Sequence, residues 1–395
     1  MPPIDIAADS RARFASFDLT SVPSPCFVVD EAQVARNCEI LAEVAEASGA
    51  QIFLALKACS MPALAPVVTR YLAGTAASGL HEARLGREEF GGQVATFSAG
   101  FKPEDLQEVL ALSDHVIFNS LGQLRRFHPL VEEARWNGED VEIGLRINPQ
   151  HSEGWTDRYD PAAPCSRLGH PVSQIRAEDL AGLDGLHMHT LCEQGFAPLA
   201  RTWEAIAPTV GPWLDALSWL NLGGGHHITQ PDYDRDGLIA LIRRIREDHG
   251  VEVFLEPGEA VVLHSGILVG EVLDRTENEV PLAISDLSAT CHMPDVVEAP
   301  YRPDLLGERP EGTGGEIRIG GPSCLAGDVI GDFRPATEFA VGERFAFLDQ
   351  THYSMVKTNT FNGVPLPALA LWNSDTDQLN VLREFGYDDF RMRLG

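Results

Sequence analysis

EAQVARNCEILAEVAEASGAQIFLALK, residues 31–57, holds a helix and a strand back to back, and that order sets the reading of everything around it. Val34, Ile40, Leu41 and Val44 fall on one helical face, and Gly49 stands where a helix stops. Ile52 to Leu56 then form a short apolar run of strand type, which closes on Lys57.

The same unit recurs downstream. Further strand candidates are Gly74–Ser78, Ala95–Ala99, His115–Asn119, Val141–Asn148, Gly185–Thr190, Trp219–Gly223 and Val251–Glu256, each but the last followed by a helix-compatible segment. Eight such units predict a closed (β/α)8 barrel of the TIM type, whose chemistry sits at the C-terminal ends of the strands. An open doubly wound sheet is the structural rival. After Gly258 the runs become shorter and alternate, as in Ile267–Leu273, Glu316–Ile319 and Arg344–Asp349, with Gly and Pro between them. They predict a second, mainly β domain of sandwich or barrel-like type. The barrel is expected over residues 31–262 and the second domain over 1–30 and 263–395, with Phe27–Asp30 pairing into the latter.

Composition narrows the function classes. Against 30 Lys and Arg the chain has 58 Asp and Glu, a formal net charge of −28, which repels nucleic acid and anionic membranes and draws in a cationic ligand. The same acidity also serves solubility alone. Seven cysteines without metal-type spacing fit a reducing interior, and no long apolar run or leader-like N-terminus appears, so a soluble, cytoplasmic protein is expected.

Several residues could carry chemistry at the barrel mouth. Lys57 ends an apolar strand, where desolvation lowers an amine's pKa and makes it a nucleophile toward an aldehyde. A solvated lysine just past a strand end is the plainer reading of such a residue in isolation. Gly223-Gly224-Gly225 follows the seventh strand, where barrels bind phosphate through backbone N–H groups, although three glycines also make a simple turn. Glu256, closing the eighth strand before Pro257-Gly258, can pair with a protonated pyridine nitrogen or merely end the strand. His187 and His189 lie two apart on the sixth strand and so share a side. No cysteine or carboxylate spacing completes a zinc set with them, so no metal is expected, and a ring stacked on a flat cofactor suits His189 better; a core histidine stays open.

With these pieces in place the chain resembles the fold-type III pyridoxal-phosphate decarboxylases, which include ornithine and diaminopimelate decarboxylases, and most narrowly the carboxynorspermidine/carboxyspermidine decarboxylases. The segments that carry the resemblance run in order along nearly the whole chain: LALK (54–57), LHEA (80–83), GLHMHTLCEQ (185–194), LNLGGGHH (220–227), EPGEA (256–260), CHMPD (291–295), GPSCLAGD (321–328), MVKT (355–358) and FNGVP (361–365). The resemblance implies pyridoxal 5'-phosphate bound covalently to Lys57, stacked on by His189, paired at its ring nitrogen by Glu256 and held at its phosphate by Gly223, Gly224, Gly225 and Tyr353. It also implies a homodimer with shared sites, in which Cys324 and Asp328 serve the partner's barrel, Asp328 as a substrate-binding acid and Cys324 to return a proton to the product carbon.

One position departs from ornithine and diaminopimelate decarboxylases, in which arginine follows the Glu-Pro-Gly turn: here it is Glu259. An acid cannot hold a phosphate or a distal carboxylate but can pair with an ammonium group, so Glu259 and Asp295 are candidates to bind a polyamine-like substrate. The expected reaction is decarboxylation of carboxynorspermidine or carboxyspermidine to norspermidine or spermidine. A relative acting on diaminopimelate or a basic amino acid is the nearer rival. A racemase, for which only Tyr353 offers a second base, and a non-catalytic pyridoxal-phosphate carrier are the more distant ones.

Overall fold

In a computed structural model, which describes residues 6–395, the eight apolar runs become Gln51–Ala55, Gly74–Ala77, Gln93–Ser98, His115–Phe118, Glu142–Asn148, Gly185–His187, Trp219–Asn221 and Glu252–Leu255. Each pairs in parallel with the next, and the eighth returns to the first through Phe254 opposite Gln51 and Leu255 opposite Ile52. That last pairing makes a closed barrel and excludes the open sheet. The strands are nearly continuous apolar runs because parallel strands are covered on both faces. Ala55, Ala76 and Ala95 stand side by side in register, and these small residues leave room for the rings of Phe53, Trp219 and Phe254 in the barrel core.

The helix read from the opening stretch spans Glu31–Ser48. One expected helix does not form: the fifth strand is followed by an irregular connection with a two-residue strand, His170–Pro171, paired back to Ile147 and Asn148, and short turns at Val172–Gln174 and Ala177–Leu180. Pro149, Pro161, Pro164 and Pro171 remove amide donors across that stretch and exclude a continuous helix. Three strands end two or more residues sooner than expected, at Ala55, His187 and Asn221, and the first two are followed by site residues. The ladder reaches only one residue past them, through Leu56 N–H to the Ala76 carbonyl (2.9 Å) and Met188 N–H to the Asn221 carbonyl (2.8 Å). Lys57 and His189 therefore project from the turns that follow.

The chain divides into two compact units, Ala35–Val261 and a second made of Val262–Gly395 with the N-terminal residues through Val34. Of the 1–30 segment expected in the second domain, residues 1–5 lie outside the described residues. The second unit is built on an eight-stranded sheet in which Cys26–Asp30 lies antiparallel to Gly266–Asn278 and parallel to Ala368–Asn373. Alternate residues face opposite sides. Phe27 and Leu268 join Phe333 and Phe347 in one cluster, while Val28 and Ile267 join Phe14 and Trp372 in the other. Among the described residues no helix is long and apolar enough to cross a membrane.

Candidate active site

Three of the sequence's candidates meet at the C-terminal ends of the barrel strands. Lys57 Nζ lies 3.4 Å from His189 Nε2. Desolvation lowers the Lys57 amine below its ordinary pKa, the guanidinium of Arg146 lowers it further, and Glu256 opposes both. The backbone N–H of Gly224 donates to His189 Nδ1 at 3.0 Å, which leaves the proton of a neutral imidazole on Nε2, facing the amine. Burial, with Lys57 and Arg146 nearby, holds the His189 ring neutral far below the usual histidine range.

Glu256 sits on the other side of this group. Burial alone would raise its pKa, yet the hydrogen bonds from His187 Nε2 (3.2 Å) and Asn221 Nδ2 (2.7 Å) hold it below the usual carboxylate range. Desolvation keeps His187 itself neutral, so a neutral imidazole donates to an ionised carboxylate. His187 packs face to face with Phe97 at 5.7 Å. The guanidinium of Arg146 covers the same Phe97 ring at 4.5 Å and donates from Nη2 to the His189 carbonyl at 2.9 Å.

Arg146, Asn221 and Phe97 were absent from the sequence expectations. Arg146 carried a signal nonetheless, as a lone cation inside the apolar run Ile143–Ile147, 5 % exposed. His187, His189 and Glu256 place one donor atom each within 4.8 Å of one another, close enough for a metal ion. Here, however, the Gly224 N–H already engages His189 Nδ1, and its Nε2 faces an amine.

The glycine turn is shaped by its neighbours. Gly223 and Gly225 take φ of +72° and +81°, and a Cβ on Gly224 would stand 2.0 Å from the Glu256 carbonyl oxygen, so only glycine fits. Two of its amides are used internally, Gly223 N–H by Asn221 Oδ1 (2.8 Å) and Gly224 N–H by His189 Nδ1. Gly225 and His226 keep theirs for an outside acceptor. Glu259 is buried, 7 % exposed, with His227 Nε2 3.0 Å from its Oε2.

The remaining candidates belong to the second unit. Asp328 is 4 % exposed and accepts from Ser288 Oγ, Ser323 Oγ (2.6 Å) and the amides of Ser323 and Thr290. These bonds close the turn that carries exposed Cys324, whose amide donates to Asn362 Oδ1 at 2.9 Å. Asp295 Oδ1 is paired with Lys357 Nζ at 2.6 Å, and that ammonium lies 5.7 Å from the centre of the Tyr353 ring. The candidates thus form one cluster in the barrel and two in the mainly β unit.

No family model matches the chain. Among curated proteins, the chain is 37% identical to the carboxynorspermidine/carboxyspermidine decarboxylase of Campylobacter jejuni, with 94% of this chain and 98% of that protein covered. It is 40% identical to the carboxyaminopropylagmatine decarboxylase of Synechocystis, over 95% of this chain and 97% of that one. Among solved structures, carboxynorspermidine decarboxylase from Campylobacter jejuni, complexed with norspermidine, superposes with a TM-score of 0.86 at 36% identity, covering 94% of this chain and all of that one. With such identity over nearly the full length of each relative, the chain belongs to the carboxynorspermidine/carboxyspermidine decarboxylase family, carboxy-lyases built on the fold-type III barrel.

Proposed function

We propose that this decarboxylase acts on carboxynorspermidine or carboxyspermidine, with pyridoxal 5'-phosphate joined to Lys57. The observation that carries the reading is a lysine amine held below its ordinary pKa, in reach of a tautomer-fixed imidazole and beside an ionised Glu256, at a barrel mouth in this family. These residues fit the cofactor: a nucleophilic amine for its aldehyde, a carboxylate for its ring nitrogen, a flat neutral ring to cover it, and a glycine turn with free amides for its phosphate. Lys57, His189, Glu256, Gly223 to Gly225 and Tyr353 would hold it. When bound, pyridoxal phosphate supplies the electron sink for the pair left behind as carbon dioxide departs.

The chain's own groups do the rest. His187 and Asn221 hold Glu256 ionised, and the carboxylate would keep a proton on the cofactor's ring nitrogen. Arg146 and the Gly224 amide fix the carbonyl and Nδ1 of His189, which orients the ring and its Nε2–H. We assign Cys324 as the thiol that delivers a proton to the product carbon, with the chain acting as a cytoplasmic homodimer in which each copy lends Cys324 to the other. Each of the three candidate acids already has partners. Asp295, whose contact with Lys357 a substrate ammonium can replace, is the preferred amine-binding group. Glu259 and Asp328 are assigned to positioning His227 and the Cys324 turn.

The 40% identical Synechocystis relative supports a second reading, in which the substrate is carboxyaminopropylagmatine. Release of carbon dioxide from that compound, carboxynorspermidine, carboxyspermidine and diaminopimelate separates the possibilities. Turnover of carboxynorspermidine or carboxyspermidine, lowered about 10³-fold or more in Lys57→Ala, is expected. Turnover of diaminopimelate alone would refute the substrate class.

A further inference from the structure

The corner between the seventh and eighth barrel strands is where barrels commonly bind phosphate. Here it carries a buried acid: Glu259 follows the Glu256-Pro257-Gly258 turn and is 7 % exposed. The turn lies beside Lys57, since a Cβ on Gly258 would stand 2.6 Å from the Cβ of Ala58. A phosphate dianion that accepts from the Gly225 and His226 amides would meet this carboxylate as a like charge. The nearby cations are committed elsewhere. Arg146 donates to the His189 carbonyl, and Arg235 Nη1 donates to the carbonyls of Ile228 and Gln230. The adjacent imidazole, His226, is bonded to Tyr233 Oη at 2.6 Å and kept neutral by burial, with its pKa lowered to about 3.

His227 is different. It stands two residues beyond Gly225 on a backbone pinned to the sixth strand's exit, with Gln194 N–H on the Gly225 carbonyl (3.2 Å) and its own N–H on the Gln194 carbonyl (3.0 Å). Its Nε2 meets Glu259 Oε2 at 3.0 Å, so the carboxylate fixes the orientation of the ring. Nδ1 is left over for a second acceptor. We propose that His227, held by Glu259, is the cation this chain offers to the phosphate of its cofactor, in place of the arginine that ornithine and diaminopimelate decarboxylases carry where Glu259 stands. The proposal rests on the reading that the barrel holds pyridoxal phosphate.

The test compares pyridoxal phosphate with pyridoxal, which lacks the phosphate. Enzyme stripped of cofactor is titrated with each, and uptake is read from the visible absorbance of the lysine-bound aldehyde, with the ³¹P resonance of the bound phosphate as a second readout. In His227→Gln, affinity for pyridoxal phosphate should fall about ten- to a hundredfold, the ³¹P resonance should move, and affinity for pyridoxal should stay as in the wild type. His227→Gln with Glu259→Gln also removes the negative charge at position 259, and the same phosphate-specific loss is expected. His227→Gln with Glu259→Arg should recover the affinity. Equal losses for both ligands, or no loss for either, overturn the role of His227 while leaving the cofactor reading in place. Wild-type protein that takes up neither ligand overturns the cofactor reading itself.

Discussion

His226 shows how far burial alone can shift a group in this site. Its Nδ1 is bonded to Tyr233 Oη at 2.6 Å, its Nε2 is buried without a partner, and desolvation lowers its pKa from 6.5 to about 3. The folded chain thus refuses a proton that the unfolded chain accepts below pH 6.5. The stabilisation is fully present above that pH and is lost as pH falls toward the folded value, at about 1.4 kcal/mol per pH unit. His187, His189 and His292 are lowered as well, the last to about 4, and each adds to the same acid-side slope. Urea unfolding of the cofactor-free protein between pH 6.5 and 4.5 should therefore show stability falling with pH, and His226→Gln should reduce the slope. Parallel curves for wild type and variant would show that His226 does not titrate in this way. The same desolvation makes Lys57 a better nucleophile, so acid sensitivity and the reactive amine share one physical cause.

At the scale of the element, the turn Gly321–Asp328 depends on one carboxylate. Asp328 gathers two hydroxyls and two amides, and the turn it closes presents Cys324 at the surface. Replacing it with Asn removes the charge from a buried, donor-filled position, at a cost of about 1–3 kcal/mol to the mainly β unit. Alkylation of Cys324 should change in rate in Asp328→Asn before global unfolding sets in, because the turn loosens first. An unchanged rate would detach Asp328 from the thiol. Elements of this kind were partly legible in the sequence. The barrel strands read correctly because parallel strands buried on both faces leave unbroken apolar runs, and the glycine turn showed itself through a backbone only glycine can adopt. The connection after the fifth strand was misread as helix-compatible, although Pro149, Pro161, Pro164 and Pro171 stand in the sequence and lack the amide donors that a helix needs. Arg146 went unnoticed inside an apolar run. The His227–Glu259 contact joins residues 32 apart in sequence, and no local pattern reports such a contact before the barrel closes.

For the molecule as a whole, the net charge of −28 favours a substrate that is itself a polycation and disfavours anionic surfaces as partners. The larger question is how the proposed chemistry is divided among copies of the chain. Lys57, His189 and Glu256 are gathered in the barrel unit, whereas Cys324 is exposed on the mainly β unit, and all seven cysteines are free among the described residues. If each copy supplies the amine to its own site and the thiol to its neighbour's, two inactive chains can repair each other. Lys57→Ala and Cys324→Ala, each alone, should release little carbon dioxide. Co-expressed, they form a mixed dimer in which one site joins the intact lysine of one chain to the intact cysteine of the other. With random pairing, half of the dimers are mixed and each holds one complete site, so activity should return to roughly a quarter of wild type. The visible absorbance of the lysine-bound aldehyde counts the chains with an intact Lys57, and carbon dioxide release counts the sites that also hold an intact Cys324. Variants that fold and pair but recover nothing would place the lysine and the proton donor of a given site on the same copy, and the homodimer would then need another reason to exist.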